Sequence, residues 1–140
     1  MPVTLTPDYF NQLSTGGLPG LLGIVVTEVA EGLLKAQFAV GPHLLAANGY
    51  MHGGSVASLA DTCAGYGAIA NLPEGALGFT TIELKTNYLG TARDGIVECV
   101  ATAVHLGRTT QVWDATLRAQ GGDRALALFR CTQLMLYPKK

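Results

Sequence analysis

Charged residues are scarce in this sequence. Only 14% of its 140 residues are Asp, Glu, Lys or Arg, whereas an average soluble domain has roughly 25%. The net charge is −1 and the nine basic residues are scattered along the chain, which argues against a nucleic-acid-binding surface because such a surface needs a basic stripe. A small domain with so little charge has apolar surface to cover, and this indicates self-association.

Long apolar runs and cysteine pairs are also missing. No stretch reaches the roughly 18 apolar residues of a membrane span, and the N-terminal segment lacks the cationic start and apolar run of a signal peptide. The three cysteines, Cys63, Cys99 and Cys131, are isolated from one another and from histidine. We therefore predict no metal, no disulfide framework and a reducing, cytoplasmic location.

The length predicts one domain over residues 1–140, with residues 1–20 as an N-terminal extension. That extension contains a predicted helix, Asp8–Leu13, and a turn-rich stretch, Ser14–Gly20. A strand hairpin follows with Glu31-Gly32 as its tight turn, since glycine adopts positive φ easily. Its strands are predicted at Leu22–Ala30 and Leu33–Val40, before a loop at Gly41–Gly53.

One long helix, Gly54–Asn71, is predicted from an apolar stripe at helical spacing. Beyond it the apolar period changes to two, which indicates strands. The two that are apolar on both faces should lie centrally in the sheet. We predict an α+β fold in which a single helix packs on a six-stranded antiparallel sheet. The stripe comprises Val56, Leu59, Cys63, Tyr66 and Ala70, the alternating strands are Thr80–Leu89 and Thr109–Ala119, and the central ones are Ile96–Leu106 and Arg124–Leu136.

The start of the long helix is rich in glycine. His52-Gly53-Gly54 leads directly into it, so two residues without side chains stand where the helix has unpaired N–H groups and a positive dipole end. Such an end can stabilise an oxyanion. The alternative interpretation, a tight turn without function, is equally compatible with this segment alone.

Asp61 lies in the middle of the helix, where aspartate has low helical propensity and no capping role. It belongs to a second stripe whose other members are all small. Solvated helix faces usually carry Glu, Lys and Gln, so this stripe favours a carboxylate in a cleft over one in solvent. The other members are Gly54, Ser58, Gly65 and Ala68.

The distance between Gly54 and Asp61 along the helix limits how the two residues could act on one substrate. Seven residues separate Gly54 from Asp61, or about 10 Å at 1.5 Å per residue. A reacting carbonyl must lie about 3 Å from both the attacking group and the oxyanion donor. One helix cannot provide both, so Asp61 would act together with the helix start of a second copy across a two-fold axis.

At these residues the sequence resembles the phenylacetate-degradation (PaaI-like) branch of hotdog-fold acyl-CoA thioesterases. The resemblance extends from Leu22 to the C-terminus and is strongest in HGGSVASLADT at 52–62. It implies a long helix wrapped by an antiparallel sheet, and either a homodimer with a continuous sheet or a dimer-of-dimers tetramer. The implied activity is hydrolysis of an acyl-CoA, with coenzyme A as part of the substrate and no further cofactor.

The resemblance also implies roles for individual residues. Asp61 would be the nucleophile or the general base, and the Gly54 N–H would polarise the thioester carbonyl. His52 would orient the substrate or the loop. Asn48 resembles the family's polar residue that positions water or the carbonyl, although that residue often lies six positions before the histidine, where this chain has Ala46.

Further residues are expected to contact the substrate. Gly53 would allow its close approach, and Thr62 would line the pocket from the same helix as Asp61. Tyr50, Asn87 and Tyr88 are candidates for the acyl pocket, and Arg93 and Arg108 for the phosphates of the nucleotide. Of the remaining histidines, His105 is expected to be a satisfied interior residue and His43 an ordinary loop residue.

Two alternative functions remain open on the sequence. Hotdog proteins include enoyl-thioester hydratases and dehydratases, which use a histidine with a carboxylate. A protein that binds acyl-CoA without turnover would keep the fold alone. The presence of Asp61 in the LADT segment at 59–62 favours hydrolysis, since a thioester needs only one carboxylate and one set of oxyanion donors.

Overall fold

In a computed structural model, which describes residues 5–140, the chain forms three α-helices and six strands. The helices are α1 (Pro7–Leu13), α2 (Leu18–Leu21) and the long α3 (Gly53–Ala70), with a short 3₁₀ turn at Pro42–Leu44. The strands are β1 (Val25–Ala30), β2 (Leu33–Ala39), β3 (Gly78–Tyr88), β4 (Ile96–Leu106), β5 (Thr110–Ala119) and β6 (Ala125–Leu136).

The six strands form one antiparallel sheet in the order β1-β2-β4-β5-β6-β3. Strands β4 and β6 lie in its interior, as their apolar sequences predicted, and β1 and β3 form the edges. Helix α3 packs across one face of the sheet, which we call the inner face. The predicted α+β fold, a long helix on a six-stranded antiparallel sheet, is confirmed.

The hydrophobic core lies between α3 and the inner face. Trp113 is fully buried on β5 and packs against Gly67, where an added Cβ would come within 2.8 Å of the indole ring. A larger residue at 67 would therefore force the helix away from the sheet. Helix α1 adds Phe10, whose ring stacks on Tyr66 of α3. The N-terminal extension is thus part of the core, apart from residues 1–4, which lie outside the described residues.

The outer face of the sheet and the β3 edge are uncovered in a single chain. Strand β3 is eleven residues long and pairs only with β6 among the described strands, and Ile82 on it is 58% exposed. A long, apolar, unpaired edge is a template for pairing with another strand. No helix among residues 5–140 is both long and apolar enough to cross a bilayer.

Three details differ from the sequence prediction. Leu18–Leu21 forms a short helix within the predicted turn because proline is tolerated in a first helical turn. Strand β1 begins three residues late, since Leu22 caps that helix and Gly23 turns the chain with φ +75°. The prediction of an interior His105 is wrong: a β-bulge between Ala103 and His105 ends the inward alternation, and His105 is exposed.

Candidate active site

The first turn of α3 is held by the residue that precedes it. His52 is the N-cap, and its Nδ1 accepts a hydrogen bond of 2.7 Å from the Gly54 N–H. The loop before it is also fixed, because the His52 N–H donates to the Leu44 carbonyl and the Ser55 hydroxyl donates to the same carbonyl. No hydrogen bond from the Gly53 N–H is found among residues 5–140. This turn therefore presents one open backbone donor, at Gly53.

Tyr88 joins the end of β3 to this turn. Its hydroxyl donates to the Gly53 carbonyl at 2.7 Å. The ring lies so close that a Cβ added at Gly53 would meet the Tyr88 Oη at 3.1 Å and Cζ at 3.2 Å. Further along, a Cβ at Gly65 would lie 3.0 Å from the Phe79 ring. Helix α3 thus runs antiparallel to β3, with Gly53 level with Tyr88 and Gly65 level with Phe79.

Asp61 lies between these two contacts, on the side of α3 that faces β3. It is partly buried, and its Oδ1 atom is fully buried with no hydrogen-bond partner among the described residues. This burial raises the pKa of the Asp61 carboxyl above its ordinary value, because desolvation disfavours the charged form. A buried polar atom without a partner is uncommon in native proteins, and a catalytic role is one of the explanations for such an atom.

The carboxylate of Asp61 lies near β6. Burial and the nearby Asp61 charge are the two largest causes that raise the pKa of the Cys131 thiol to about 12. Cys131 pairs with Leu84 of β3, and Thr86 is the next residue along the same face of that strand. The Thr86 hydroxyl is the second buried polar atom without a partner among residues 5–140. Both unsatisfied oxygens therefore face the space between α3 and β3.

The loop before the helix brings two further candidates together. The Arg93 guanidinium lies 4.1 Å from the centroid of the Tyr50 ring, and the Met51 N–H donates to the Ala92 carbonyl. Both side chains are exposed at the end of the molecule where α3 begins. Asn48 is engaged locally, because its Oδ1 accepts from the Tyr50 N–H in the same turn.

Other candidates lie elsewhere in the chain. Asn87 projects from the outer face, in a groove with Lys85 and Arg130, whereas Tyr88 projects from the inner face. Arg108 lies in the β4–β5 turn, where its guanidinium stacks on Tyr137 at 5.7 Å. That turn is at the end of the molecule opposite to Gly53. Thr62 is partly buried beside Asp61 on α3. In a single chain, the residues that lie together are therefore His52, Gly53, Gly54 and Tyr88. Asn87 and Arg108 lie away from this group.

The part of the chain that contains these candidate residues matches a known protein family. The thioesterase superfamily model matches residues 48–126, which is more than half of the chain. The chain belongs to the thioesterase superfamily. The sequence prediction of a thioester hydrolase is thereby confirmed, and the matched residues include His52, Asp61 and all of β3.

Individual thioesterases agree with this assignment. The 1,4-dihydroxy-2-naphthoyl-CoA hydrolase of Listeria monocytogenes is 31% identical over 116 residues, which cover 83% of this chain and 93% of the relative. A thioesterase from Pseudomonas aeruginosa, crystallised as a mutant, superposes with a TM-score of 0.89 at 28% identity over 96% of both chains. The chain therefore matches these relatives over nearly their whole length.

The predicted hotdog fold is also confirmed by the structural matches. The Escherichia coli PaaI protein of the phenylacetic acid degradation operon superposes with a TM-score of 0.80, at 24% identity, over 89% of this chain and 88% of that protein. This thioesterase therefore shares the PaaI fold, in line with the resemblance seen in its sequence.

Thr86, whose hydroxyl faces the same cleft as Asp61, was not identified from the sequence. Thr86 lies on the same face of β3 as Tyr88, because alternate residues of a strand share a face. This spacing could have identified it from the sequence. The β-bulge between Thr81 and Glu83 shifts the register of β3 on β6. Nothing in the alternation of apolar and polar residues locates this bulge, so the sequence could not show which residues of β6 lie opposite Thr86 and Tyr88.

Proposed function

We propose that this thioesterase hydrolyses an aryl- or medium-chain acyl-CoA to the free acid and coenzyme A, with Asp61 as nucleophile or general base. The observation that carries this proposal is the buried, unpartnered Oδ1 of Asp61 in the cleft between α3 and β3. The Listeria relative acts on an aromatic acyl-CoA by its name, which supports the aryl class. The family membership supports thioester hydrolysis over hydration.

The carbonyl of the substrate would be polarised by the start of α3. The sequence suggested the Gly54 N–H for this role, but that N–H donates to His52 Nδ1, so it could act only after the imidazole had moved. The Gly53 N–H needs no such movement. We assign the first contact with the developing oxyanion to Gly53, with the helix dipole adding to its effect. His52 then has the role of capping the turn.

The attacking carboxylate would come from a partner subunit. Eight residues separate Gly53 from Asp61, about 12 Å along the helix axis, so the two groups of one chain cannot reach the same carbonyl. Asp61 lies level with the middle of β3, between the Gly53–Tyr88 and Gly65–Phe79 contacts. If two β3 edges pair antiparallel about a two-fold axis, Asp61 of each chain moves toward the helix start of the other. This supports an isologous homodimer with two shared sites.

The nucleotide of coenzyme A would lie against exposed side chains near the helix start. Arg93 supplies a cation for a phosphate group, and Tyr50 holds the guanidinium in place by its ring. The same two-fold axis would bring the Arg108 end of one subunit toward the Gly53 end of the other. Thr62 would line the acyl pocket, and the Asn48 turn would support the loop.

A tetramer and a cytoplasmic location complete the proposal. The outer face of the sheet carries exposed leucines on β6, Leu128, Leu134 and Leu136, and a second dimer would cover this apolar surface. All three thiols are free and buried, which suits a reducing compartment. The mass of the particle in solution would distinguish a dimer from a tetramer.

One assay tests the reaction. The protein is incubated with a panel of aromatic and aliphatic acyl-CoAs and a thiol reagent, and release of free coenzyme A is expected. Release should fall about 10²- to 10⁴-fold in Asp61→Asn, the usual range for loss of a general base. Hydration of an enoyl-CoA without thiol release would contradict the proposal and support a hydratase. Tight binding without either product would instead support a binding protein.

A further inference from the structure

The peptide group between Gly53 and Gly54 is held at both of its polar ends by side chains. Its carbonyl accepts a hydrogen bond of 2.7 Å from the Tyr88 hydroxyl, and its N–H donates a hydrogen bond of 2.7 Å to His52 Nδ1. Tyr88 comes from β3, 35 residues further along the chain. The edge strand and the helix start are thereby joined at the peptide that directly follows the open Gly53 N–H.

We propose that Tyr88 is a positioning residue, which fixes the start of α3 so that the Gly53 N–H is directed at the thioester carbonyl. This inference rests on the proposed function. It differs from the expected role of Tyr88 as a wall of the acyl pocket, because the hydroxyl here acts on the backbone.

Van der Waals packing joins Tyr88 to Gly53 in addition to the hydrogen bond. A Cβ at Gly53 would meet three atoms of the Tyr88 phenol within 3.1–3.4 Å, so the ring rests directly on the glycine Cα. About half of the Tyr88 surface is exposed in a single chain, 52% of it. A half-exposed tyrosine held by its hydroxyl and by one glycine is suited to fixing that glycine.

A fixed peptide matters at this place because the first turn of a helix has the fewest internal hydrogen bonds. The first four N–H groups lack partners within the helix, and the turn frays easily. A donor on the Gly53 carbonyl polarises the Gly53–Gly54 amide and so strengthens the bond from the Gly54 N–H to His52 Nδ1. Such chains of hydrogen bonds strengthen one another by about 10–30% per bond, and this helps to hold the Gly53 N–H in place. Loss of the Tyr88 hydroxyl should therefore loosen and weaken the polarising turn without removing any group that touches substrate.

The test compares Tyr88→Phe with Tyr9→Phe as a matched control. Tyr9 is a partly exposed tyrosine on α1 whose hydroxyl has no hydrogen bond among the described residues. For Tyr88→Phe we expect kcat to fall about tenfold while KM changes less than about twofold, since the lost effect is confined to the transition state. Tyr9→Phe should match the wild type in both constants and in melting temperature. Tyr88→Phe should melt at a slightly lower temperature, because the hydrogen bond to the Gly53 carbonyl is lost.

Two kinetic outcomes would overturn the inference. A raised KM at unchanged kcat would return Tyr88 to the acyl pocket, and unchanged values of both constants would show that the hydroxyl has no role. Tyr88→Leu, which also removes the ring, should lower kcat further than Tyr88→Phe. A Leu variant as active as wild type would contradict the packing argument.

A spectroscopic signature separates this inference from the proposed reaction. The Gly54 amide belongs to the peptide that Tyr88 binds, so its ¹⁵N and ¹H resonances should shift in Tyr88→Phe and stay in place in Tyr9→Phe. An unmoved Gly54 resonance would overturn the inference even if the enzyme hydrolyses acyl-CoA and Asp61→Asn is inactive. Absence of hydrolysis by the wild type on every acyl-CoA would overturn the proposed function, whatever the resonance shows.

Discussion

The two parts of the proposed site, the start of α3 and Asp61, differ in how many of their polar groups have hydrogen-bond partners. At the start of α3, His52 and Tyr88 bind both ends of the Gly53–Gly54 peptide. In the middle of the same helix, the Asp61 carboxylate has a buried oxygen without any partner among the described residues. A buried unpaired oxygen costs free energy, whereas a satisfied peptide stabilises the turn.

One chain therefore satisfies the hydrogen bonds of the Gly53–Gly54 peptide but leaves the buried oxygen of Asp61 without a partner among the described residues. In the proposed mechanism, groups of one chain complete the helix start that binds the carbonyl group. The buried Oδ1 of the Asp61 carboxylate has no partner among the described residues, so a substrate, a water molecule or a second subunit would have to provide one. We therefore expect changes at the helix start to lower both stability and activity, and changes at Asp61 to affect the two in opposite directions.

The largest effect is expected for Asp61→Asn. Activity should fall about 10²- to 10⁴-fold, because the amide cannot act as a base or as a nucleophile. The free energy of unfolding at neutral pH should stay equal or increase, because a partly buried charge has been removed. Both are measured by thioester turnover and by denaturant unfolding.

Asp123→Asn provides the matched control for that variant, since Asp123 lies exposed in the β5–β6 turn. It should leave turnover and stability within experimental error of the wild type. An Asp61→Asn protein that is both less stable and still active would mean that the carboxylate is structural.

A smaller loss of activity is expected for Gly53→Ala, together with a loss of stability. The added Cβ would lie 3.1 Å from the Tyr88 Oη, so the half-exposed ring or the turn must shift by a few tenths of an ångström. Weakening of the Tyr88 hydrogen bond costs about 1 kcal/mol and is partly offset by the better helical propensity of alanine, so the net loss should be below about 1 kcal/mol. Displacing the polarising N–H by even 1 Å should lower kcat by up to about 10²-fold. Thermal unfolding and steady-state kinetics measure both effects.

The control for this substitution is Gly78→Ala on β3, where an added Cβ meets nothing within 4 Å. Its stability should change by no more than about 0.5 kcal/mol. Equal behaviour of the two alanine variants would show that Gly53 is not constrained by Tyr88.

The smallest effect is a pH dependence. Burial raises the pKa of Asp61, so activity should rise with pH along an acid limb that lies above the ordinary range of an aspartate. The contribution of Asp61 to the free energy of unfolding falls as pH rises, in the opposite direction to the activity. Because the folded protein holds this proton more tightly than the unfolded chain, the contribution of Asp61 is present below the unfolded pKa and is lost as pH rises through the folded pKa. Asp61→Asn should lack this decline, and a decline identical to that of the wild type would contradict the assignment.

Much of the fold could be predicted because local patterns and tertiary packing agree. The helical stripe around Leu59 and the alternation in β5 each bury the residues that they predicted, such as Trp113 and Leu117. Asp61 could be singled out because its stripe is made of small residues, and Gly65 of that stripe does pack against β3 through Phe79.

The remaining features depend on contacts between distant segments. The hydrogen bond from Tyr88 to Gly53 spans 35 residues, and its existence depends on the register of β3 after the bulge at Thr81/Glu83. The exposure of His105 depends on a second bulge, in β4. Bulges have no reliable sequence signal here, so the facing of these side chains followed only from the structure.

The central claim is that each site combines Asp61 of one subunit with the helix start of the other, and mixed dimers test it directly. Asp61→Asn and Gly53→Ala chains, each of low activity alone, are unfolded together and refolded at equal amounts. Random pairing puts one intact site in half of the dimers, so about a quarter of the wild-type activity should return. If no activity is regained although mixed dimers form, the two groups do not work across the interface and the shared-site mechanism is contradicted.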